Sequence, residues 1–387
     1  MTRTTKIVLA ILILGILTLL GWGAYYWFFT PRGGAGTQPG QRSFLFFPSG
    51  ETTPTTDNQN NNGEPIIPEL TQNGDLVKIV SDPVIGATLT KDETKLLYYK
   101  RSGGNLFRSD PDGKNEETVL NLTVVGLTDV NWSADRASAI LSFIENGAVK
   151  RFIENVATSS TLFLPSSITS VDWSPTDPKV IAYTERKAPG ISVTTASSAL
   201  KNARVIFTNT VPDYILQWQN KSSLLLVTPP SFVAPSLALS VALTGKATEL
   251  PAGRGLMILP NPLGTVLAVS GVDNGKPLPL RLINQKGEIV GTADIATLAE
   301  KCAWAADGSA IYCAIPINPD GRLPDDWYKG LVSFSDRIVK IDSHTGAVTD
   351  ILARSVFDAV NLFTDSKNQF LFFANKTDSS LWRIKLK

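Results

Sequence analysis

A short motif recurs seven times along the chain and constrains its fold more than any other feature. Each copy has a large apolar residue, then a turn rich in Asp, Asn, Pro, Gly or Ser, and then an apolar run. Two apolar runs joined by such a turn predict a β-hairpin. Successive copies begin 43, 41, 45, 41, 45 and 59 residues apart, at Leu89, Trp132, Trp173, Trp218, Leu259, Trp304 and Phe363.

A strand-rich repeat of about 40 to 45 residues is typical of propeller blades. We therefore predict an all-β fold, a seven-bladed β-propeller over residues 75–387. The last blade, residues 356–387, supplies only three strands, so Leu76–Val80 is expected to be the fourth. This N-terminal strand would close the ring and cover a sheet edge that otherwise invites aggregation. The one helix-like stretch is Asp294–Lys301.

The N-terminal region predicts a membrane anchor. Residues 1–6 carry Arg3 and Lys6, and residues 7–29 contain no charged residue over 23 positions, enough for one transmembrane helix. A cleaved signal peptide is the alternative, but no clear small-x-small cleavage site follows the apolar run. We expect an uncleaved single-pass anchor in the cytoplasmic membrane. Its N-terminus would lie inside, and the propeller would be periplasmic or extracellular.

Residues 30–74 are rich in Gly, Pro, Thr, Asn and Gln, which predicts a disordered, flexible linker. An apolar run at 44–47 interrupts the linker. We favour a short strand there, or a contact with the membrane or the propeller, over a peptide that docks on a partner protein. Lys and Arg total 36 against 35 Asp and Glu, so the net charge does not favour nucleic-acid binding. The oligomeric state stays open.

The chain has one His and two Cys, which disfavours most metal and nucleophile chemistry. We predict no catalytic, cofactor-binding or metal-binding residue. His344 is expected in an exposed turn. Cys302 and Cys313 flank the turn at 307–308, where a two-residue loop would place them opposite each other. A disulfide is expected outside the cytoplasm, with two reduced thiols as the alternative.

Two further groups of polar residues have possible site chemistry. The sixth blade is lengthened by the segment 316–330, and a long loop on a rigid ring is a common place for function. Its mixture of carboxylates and aromatic rings makes it a candidate partner-binding loop, with self-packing as the alternative; the residues are Asp325, Asp326, Trp327 and Tyr328. The oxygen-bearing side chains of another turn are spaced in a way that resembles calcium-binding loops. A plain turn is favoured there over a calcium site; the residues are Asp110, Asp112, Asn115 and Glu116.

The turns that begin Trp132-Ser-Ala-Asp, Trp173-Ser-Pro and Trp304-Ala-Ala-Asp-Gly resemble the WD-like repeats of TolB-type bacterial propellers. The hairpin Asp110-Pro-Asp-Gly113 looks like the one that follows in those repeats. The resemblance covers residues 75–387 and implies an extracytoplasmic binding scaffold.

These features predict a membrane-tethered scaffold without catalysis, which binds an envelope protein or polymer. The alternative is a propeller enzyme of the lactonase or hydrolase type that uses a metal at the channel mouth. That alternative requires carboxylates to converge on the channel. The residues that decide between the two are Asp129, Asp172, Asp213 and Asp358.

Overall fold

The computed structural model describes residues 75–386, which form seven four-stranded antiparallel sheets and one short two-stranded ribbon. We number the sheets as blades 1 to 7 in chain order. The first strands of blades 1 to 4 contact one another in succession, as do those of blades 6 and 7, and the first strands of the seven blades surround a central channel. These inner strands are β2 (Val84–Leu89), β6 (Leu127–Trp132), β10 (Ile168–Trp173), β14 (Ile215–Asn220), β18 (Met257–Pro260), β24 (Cys302–Trp304) and β28 (Ala359–Thr364).

The other strands of each blade lie progressively farther from the channel. The second strands are β3 (Leu96–Lys100), β7 (Ser138–Glu145), β11 (Val180–Lys187), β15 (Ser223–Val227), β19 (Val266–Ser270), β25 (Ala310–Ile317) and β29 (Phe370–Asn375). The third strands are β4 (Leu106–Ser109), β8 (Ala148–Asn155), β12 (Gly190–Ser197), β16 (Pro235–Ala242), β22 (Pro279–Asn284), β26 (Ser335–Asp342) and β30 (Leu381–Lys385). The outer strands are β5 (Glu117–Leu120), β9 (Ser160–Phe163), β13 (Arg204–Asn209), β17 (Ala247–Arg254), β23 (Ile289–Ala296), β27 (Val348–Leu352) and β1 (Leu76–Val80).

The ring closes through strands from opposite ends of the described chain. Strand β1 pairs antiparallel with β30, with Leu76 opposite Ile384 and Val77 opposite Arg383. This is the closure that the sequence predicts, and it completes the seventh blade. The two-stranded ribbon consists of β20 (Val272–Asp273) and β21 (Lys276–Pro277), between the second and third strands of blade 5.

Helix is scarce in residues 75–386. The expected helical stretch Asp294–Lys301 is instead the end of β23 followed by a 3₁₀ helix, Ala299–Lys301. Ala293 and Ile295 are buried while Asp294 is exposed, and this alternation suits a strand. The long loop of blade 6 contains α1 (Asp325–Tyr328).

The predicted membrane anchor precedes the described residues in the chain. No helix within residues 75–386 has the length and apolar character needed to span a bilayer. The predicted transmembrane helix 7–29 and linker 30–74 lie outside the described residues, so both stay predictions.

The two cysteines lie on paired strands of blade 6. Cys302 on β24 is directly opposite Cys313 on β25, and their Sγ atoms are joined in a disulfide. The Cys302–Cys313 bond ties the inner strand of blade 6 to the second strand.

A repeated tryptophan joins each of three blades to the blade before it. The indole N–H of Trp132 donates to the Gly86 carbonyl at 2.7 Å, and that of Trp173 donates to the Asn131 carbonyl at 2.9 Å. Trp304 repeats the contact with the Leu259 carbonyl at 3.1 Å. Each accepting carbonyl lies on the preceding inner strand. The indole therefore fills the space between blades and supplies a donor to a partly buried carbonyl.

Blades 6 and 7 are joined by a buried ion cluster. Lys301 Nζ lies 2.9 Å from Asp336 and 2.5 Å from Asp358, and all three side chains are fully buried. Asp358 also accepts the indole N–H of Trp327 at 3.0 Å and the backbone N–H of Phe334 at 3.1 Å. Burial raises the pKa of Asp336 to about 6, against the attraction of Lys301. The cluster fixes the 3₁₀ helix that carries Lys301 to the start of β28.

We expect Trp132→Phe to lower the free energy of unfolding by about 1 kcal/mol, because it removes the hydrogen bond to the partly buried Gly86 carbonyl. Trp218→Phe is the matched control, since the buried Trp218 Nε1 has no hydrogen-bond partner among the described residues. Denaturant titrations of both variants measure the difference. Equal losses in the two variants would contradict a role for the indole hydrogen bond.

We expect Lys301→Met to destabilise the fold by about 3 to 5 kcal/mol, because it leaves two carboxylates buried together without the cation that contacts both. The control is Lys340→Met on the exposed face of β26, which should change stability by less than about 0.5 kcal/mol. The midpoint and slope of denaturant unfolding give both values. Similar stability in the two variants would show that the ion cluster does not hold blades 6 and 7 together.

Candidate active site

The inner strands present polar side chains to the channel at repeated positions. Alternate residues of a strand face the same side, so the residues three before and one before a repeated tryptophan point together. In blade 2 these are Asp129 and Asn131, and in blade 3 they are Ser170 and Asp172. They line a cavity of about 320 Å³. Inner-strand residues of blades 4, 5 and 7 and the segment leading into β24 of blade 6 complete the lining, so the cavity lies in the central channel.

Asp129 is a channel carboxylate with altered acidity. It is half-buried and faces the cavity rather than open solvent. Burial raises its pKa to about 6, and the attraction of Arg151 opposes part of that rise. Arg151 lies in the same row of blade 2, since Asp129 is opposite Ser142 and Ser142 is opposite Arg151. The pair places a carboxylate that titrates near neutrality beside a guanidinium.

Asp172 has a structural role at the same cavity. One carboxylate oxygen accepts from Asn131 Nδ2 at 2.7 Å and from the backbone N–H of Trp173 at 2.8 Å. The other accepts from the backbone N–H of Trp218 at 2.6 Å. Asp172 therefore joins blades 2, 3 and 4. Both of its oxygens are engaged, which leaves it poorly placed to accept a proton from a substrate.

Glu300 is the residue that sequence reasoning missed. It lies in the 3₁₀ helix of blade 6, lines the cavity, and accepts a hydrogen bond from the Tyr328 hydroxyl. Its Oε2 atom is buried without a hydrogen-bond partner among the described residues. Burial raises the pKa of Glu300 to about 8, and the Tyr328 hydrogen bond lowers it in part. At neutral pH Glu300 is mainly protonated and can donate a proton.

The remaining predicted channel carboxylates are placed differently. Asp213 is half-buried, and burial raises its pKa against the attraction of Arg186 and Arg151. Asp358 is buried in the ion cluster with Lys301 and does not line the cavity. Of the four carboxylates chosen from the sequence, two therefore line the cavity, and only Asp129 has features suited to proton transfer.

The candidate partner-binding loop is folded onto the propeller. Trp327 is 0% exposed and donates to Asp358. Asp325 accepts from the backbone N–H of Phe232 at 2.5 Å, and Asp326 accepts from that of Arg322 at 2.8 Å. These contacts favour the self-packed alternative. Tyr328 is linked to the channel instead, through Glu300.

A metal site needs several ligating side chains close together. Within residues 75–386 no group of three or more His, Cys, Asp or Glu side chains could hold a metal ion. His344 is exposed, and its backbone N–H donates to Asp342 at 2.9 Å. In the turn with calcium-like spacing, the aspartates form salt bridges with lysines of the chain. Asp110 lies 2.6 Å from Lys95 Nζ, and Asp112 lies 2.9 Å from Lys114 Nζ.

Comparisons with known proteins identify the fold and no family. No family model matches the sequence, and no curated protein matches it. Among solved structures, an oligogalacturonate lyase in complex with manganese is similar, with a TM-score of 0.56 and 10% identity over 81% of this chain and 90% of that one. An oligogalacturonate lyase from Vibrio parahaemolyticus gives a TM-score of 0.55 and 9% identity over 81% of this chain and 92% of that one.

These matches correct the functional expectation. The prediction of a scaffold without catalysis is wrong, because these two similar propellers are enzymes, lyases by name. The prediction that the chain has no catalytic residue rested on the scarcity of His and Cys, and these matches do not test it. At this level of identity the likeness shows a propeller fold. The similar structure contains manganese, whereas the described residues of this chain do not offer a cluster suited to one.

Proposed function

We propose that this chain is an enzyme that cleaves an acidic oligosaccharide in its central channel, with Asp129 as base and Glu300 as acid. One observation carries the proposal: the two carboxyl groups line the same cavity with pKa values raised to about 6 and about 8. Between those values Asp129 is ionised while Glu300 keeps its proton. A base and an acid separated in this way are what acid–base catalysis near neutral pH needs.

The substrate class comes from the similar propellers, which act on oligogalacturonate by name. A lyase breaks the glycosidic bond of a uronate by elimination. Asp129 takes the proton from the carbon beside the uronate carboxylate, a carbon–carbon double bond forms, and the bond to the leaving oxygen breaks. Glu300 gives its proton to that oxygen. The product is an unsaturated uronate, and proton exchange with water restores both groups.

The chain performs these steps with its own side chains. Because the described residues do not fit a metal cluster, no step is assigned to a metal. Arg151 keeps Asp129 more acidic than burial alone would, so that Asp129 is ionised at neutral pH. The predicted anchor at residues 7–29 would put the channel outside the cytoplasm. An envelope or environmental polymer is then the partner expected to reach it.

We expect the rate of polygalacturonate cleavage to follow a bell-shaped pH profile. Activity should rise through about 6 as Asp129 loses its proton and fall through about 8 as Glu300 loses its own. Asp129→Asn and Glu300→Gln should each lower kcat/KM by about 100-fold or more, since each removes a proton-transfer group. Ultraviolet absorbance of the unsaturated product measures the rate.

The matched controls are Asp294→Asn and Glu249→Gln, exposed carboxylates on outer strands, which should leave the profile unchanged. A saturated product would assign the same two residues to hydrolysis and would contradict the lyase. No cleavage of any polyuronate by the full chain between pH 5 and 9 would contradict the enzyme proposal.

We expect Tyr328→Phe to move the alkaline limb of the profile to higher pH. The Tyr328 hydrogen bond lowers the pKa of Glu300, so its removal lets burial raise that pKa further. Tyr98→Phe is the control, because it also removes a tyrosine–glutamate hydrogen bond, to Glu116, but away from the channel. If Tyr328→Phe lost activity while the alkaline limb of the pH profile stayed at the same pH, Tyr328 would contribute by packing and not by lowering the pKa of Glu300.

A further inference from the structure

A second cavity adjoins the first on the side of blades 7, 1 and 2. It has a volume of about 380 Å³ and is bounded by the inner strands β2, β6 and β28. The two cavities share four lining residues, Asp129, Asn131, Asn361 and Leu362. A ligand that reaches Asp129 can therefore extend into both halves of the channel.

The two halves differ in charge. The first cavity is lined by three carboxyl groups, those of Asp129, Asp172 and Glu300, and by the guanidinium of Arg151. The second is lined by two basic residues, Arg101 and Arg136, and Asp129 is the one acidic residue in its lining. An anionic ligand group is thus better accommodated in the second half, beside Asp129 but away from Glu300.

The Arg101 guanidinium has a donor that is not used in a hydrogen bond within the described residues. Its Nη1 atom donates to the Leu127 carbonyl at 3.1 Å, while its Nε atom is buried without a hydrogen-bond partner among the described residues. Burial lowers the pKa of Arg101, and the attraction of Asp129 opposes this. A buried donor without an acceptor destabilises the unliganded protein. A carboxylate can supply that acceptor, because the planar guanidinium matches two carboxylate oxygens.

We propose that Arg101 and this second cavity form an anion subsite that binds the carboxylate of an acidic sugar next to Asp129. The inference rests on the proposed function and deepens it, since it restricts the substrate to a sugar acid and fixes its orientation. Negative charge spreads onto the carboxylate when Asp129 removes the neighbouring proton. A guanidinium already placed there would stabilise that charge.

The test uses galacturonate and galactose, which differ only in the carboxylate that replaces the terminal hydroxymethyl group. Neither monosaccharide has a bond to cleave, so calorimetric titration of the full chain measures binding alone. We expect the full chain to bind galacturonate at least tenfold more tightly than galactose. Arg101→Gln should remove most of this preference and leave galactose binding unchanged.

Two further variants make the result specific. Arg108→Gln removes an exposed guanidinium on β4 that pairs with Glu117 outside the channel, and it should leave both affinities unchanged. Arg101→Lys keeps the charge and loses the planar fork, so it should weaken galacturonate binding less than Arg101→Gln does. If Arg101→Gln fails to fold, as judged by its unfolding midpoint, Arg101→Lys decides, and unchanged galacturonate binding in it overturns the subsite.

The failure of this inference differs from failure of the enzyme proposal. Equal binding of the two sugars, no binding of either, or binding that ignores Arg101 overturns the anion subsite, while the pH profile set by Asp129 and Glu300 can still stand. Arg101-dependent galacturonate binding without any polyuronate cleavage supports the subsite and removes the proposed catalysis.

Discussion

The ring depends on the contact that one blade makes with the inner strand of the blade before it. In blades 2, 3 and 6 that contact is an indole N–H donating to a backbone carbonyl across the blade boundary. The inner strands must approach closely for the bond to form. At the first boundary a side chain on Gly86 would lie 2.3 Å from Val130, and Gly86 has a φ of +65°, which favours glycine. The tryptophan and the glycine therefore act together in setting the spacing between blades 1 and 2.

That spacing determines which residues can carry chemistry. Because the tryptophan side chain is committed to the blade boundary, its neighbours one and three positions earlier face the channel. In blade 3 the position just before the tryptophan holds Asp172, whose oxygens are used to join three blades. In blade 2 the position three residues before the tryptophan holds Asp129, whose carboxylate lines the cavity. The two channel-facing positions of the repeat thus supply a structural carboxylate in one blade and a candidate base in another.

The sequence predicted the parts of the structure that repeat or lie close together in the chain. The seven motifs at nearly constant spacing predicted the propeller, and the three strands of the last blade predicted the closure by Leu76–Val80. It also marked Asp129, because that residue lies beside a repeated tryptophan. The sequence did not identify Glu300 as a candidate, because its raised pKa comes from burial in the folded chain. Its hydrogen-bond partner, Tyr328, lies 28 residues away. The same limit applies to Trp327, which has the composition of a surface contact but is buried against Asp358.

The buried Lys301 cluster explains why blade 6 can hold a protonated glutamate at the channel. A buried cation with two carboxylates is rarely more stable than an apolar core of the same size, so it contributes little that packing could not supply. It does fix position, because Lys301, Trp327 and the start of β28 are all held by Asp358. Glu300 and Tyr328 are the immediate neighbours of Lys301 and Trp327 in the chain. Fixing one pair therefore fixes the other, and the hydroxyl of Tyr328 stays on one oxygen of Glu300 while the second oxygen remains unpaired. The arrangement keeps that second oxygen buried and the carboxyl group oriented, and burial is what raises the pKa of Glu300.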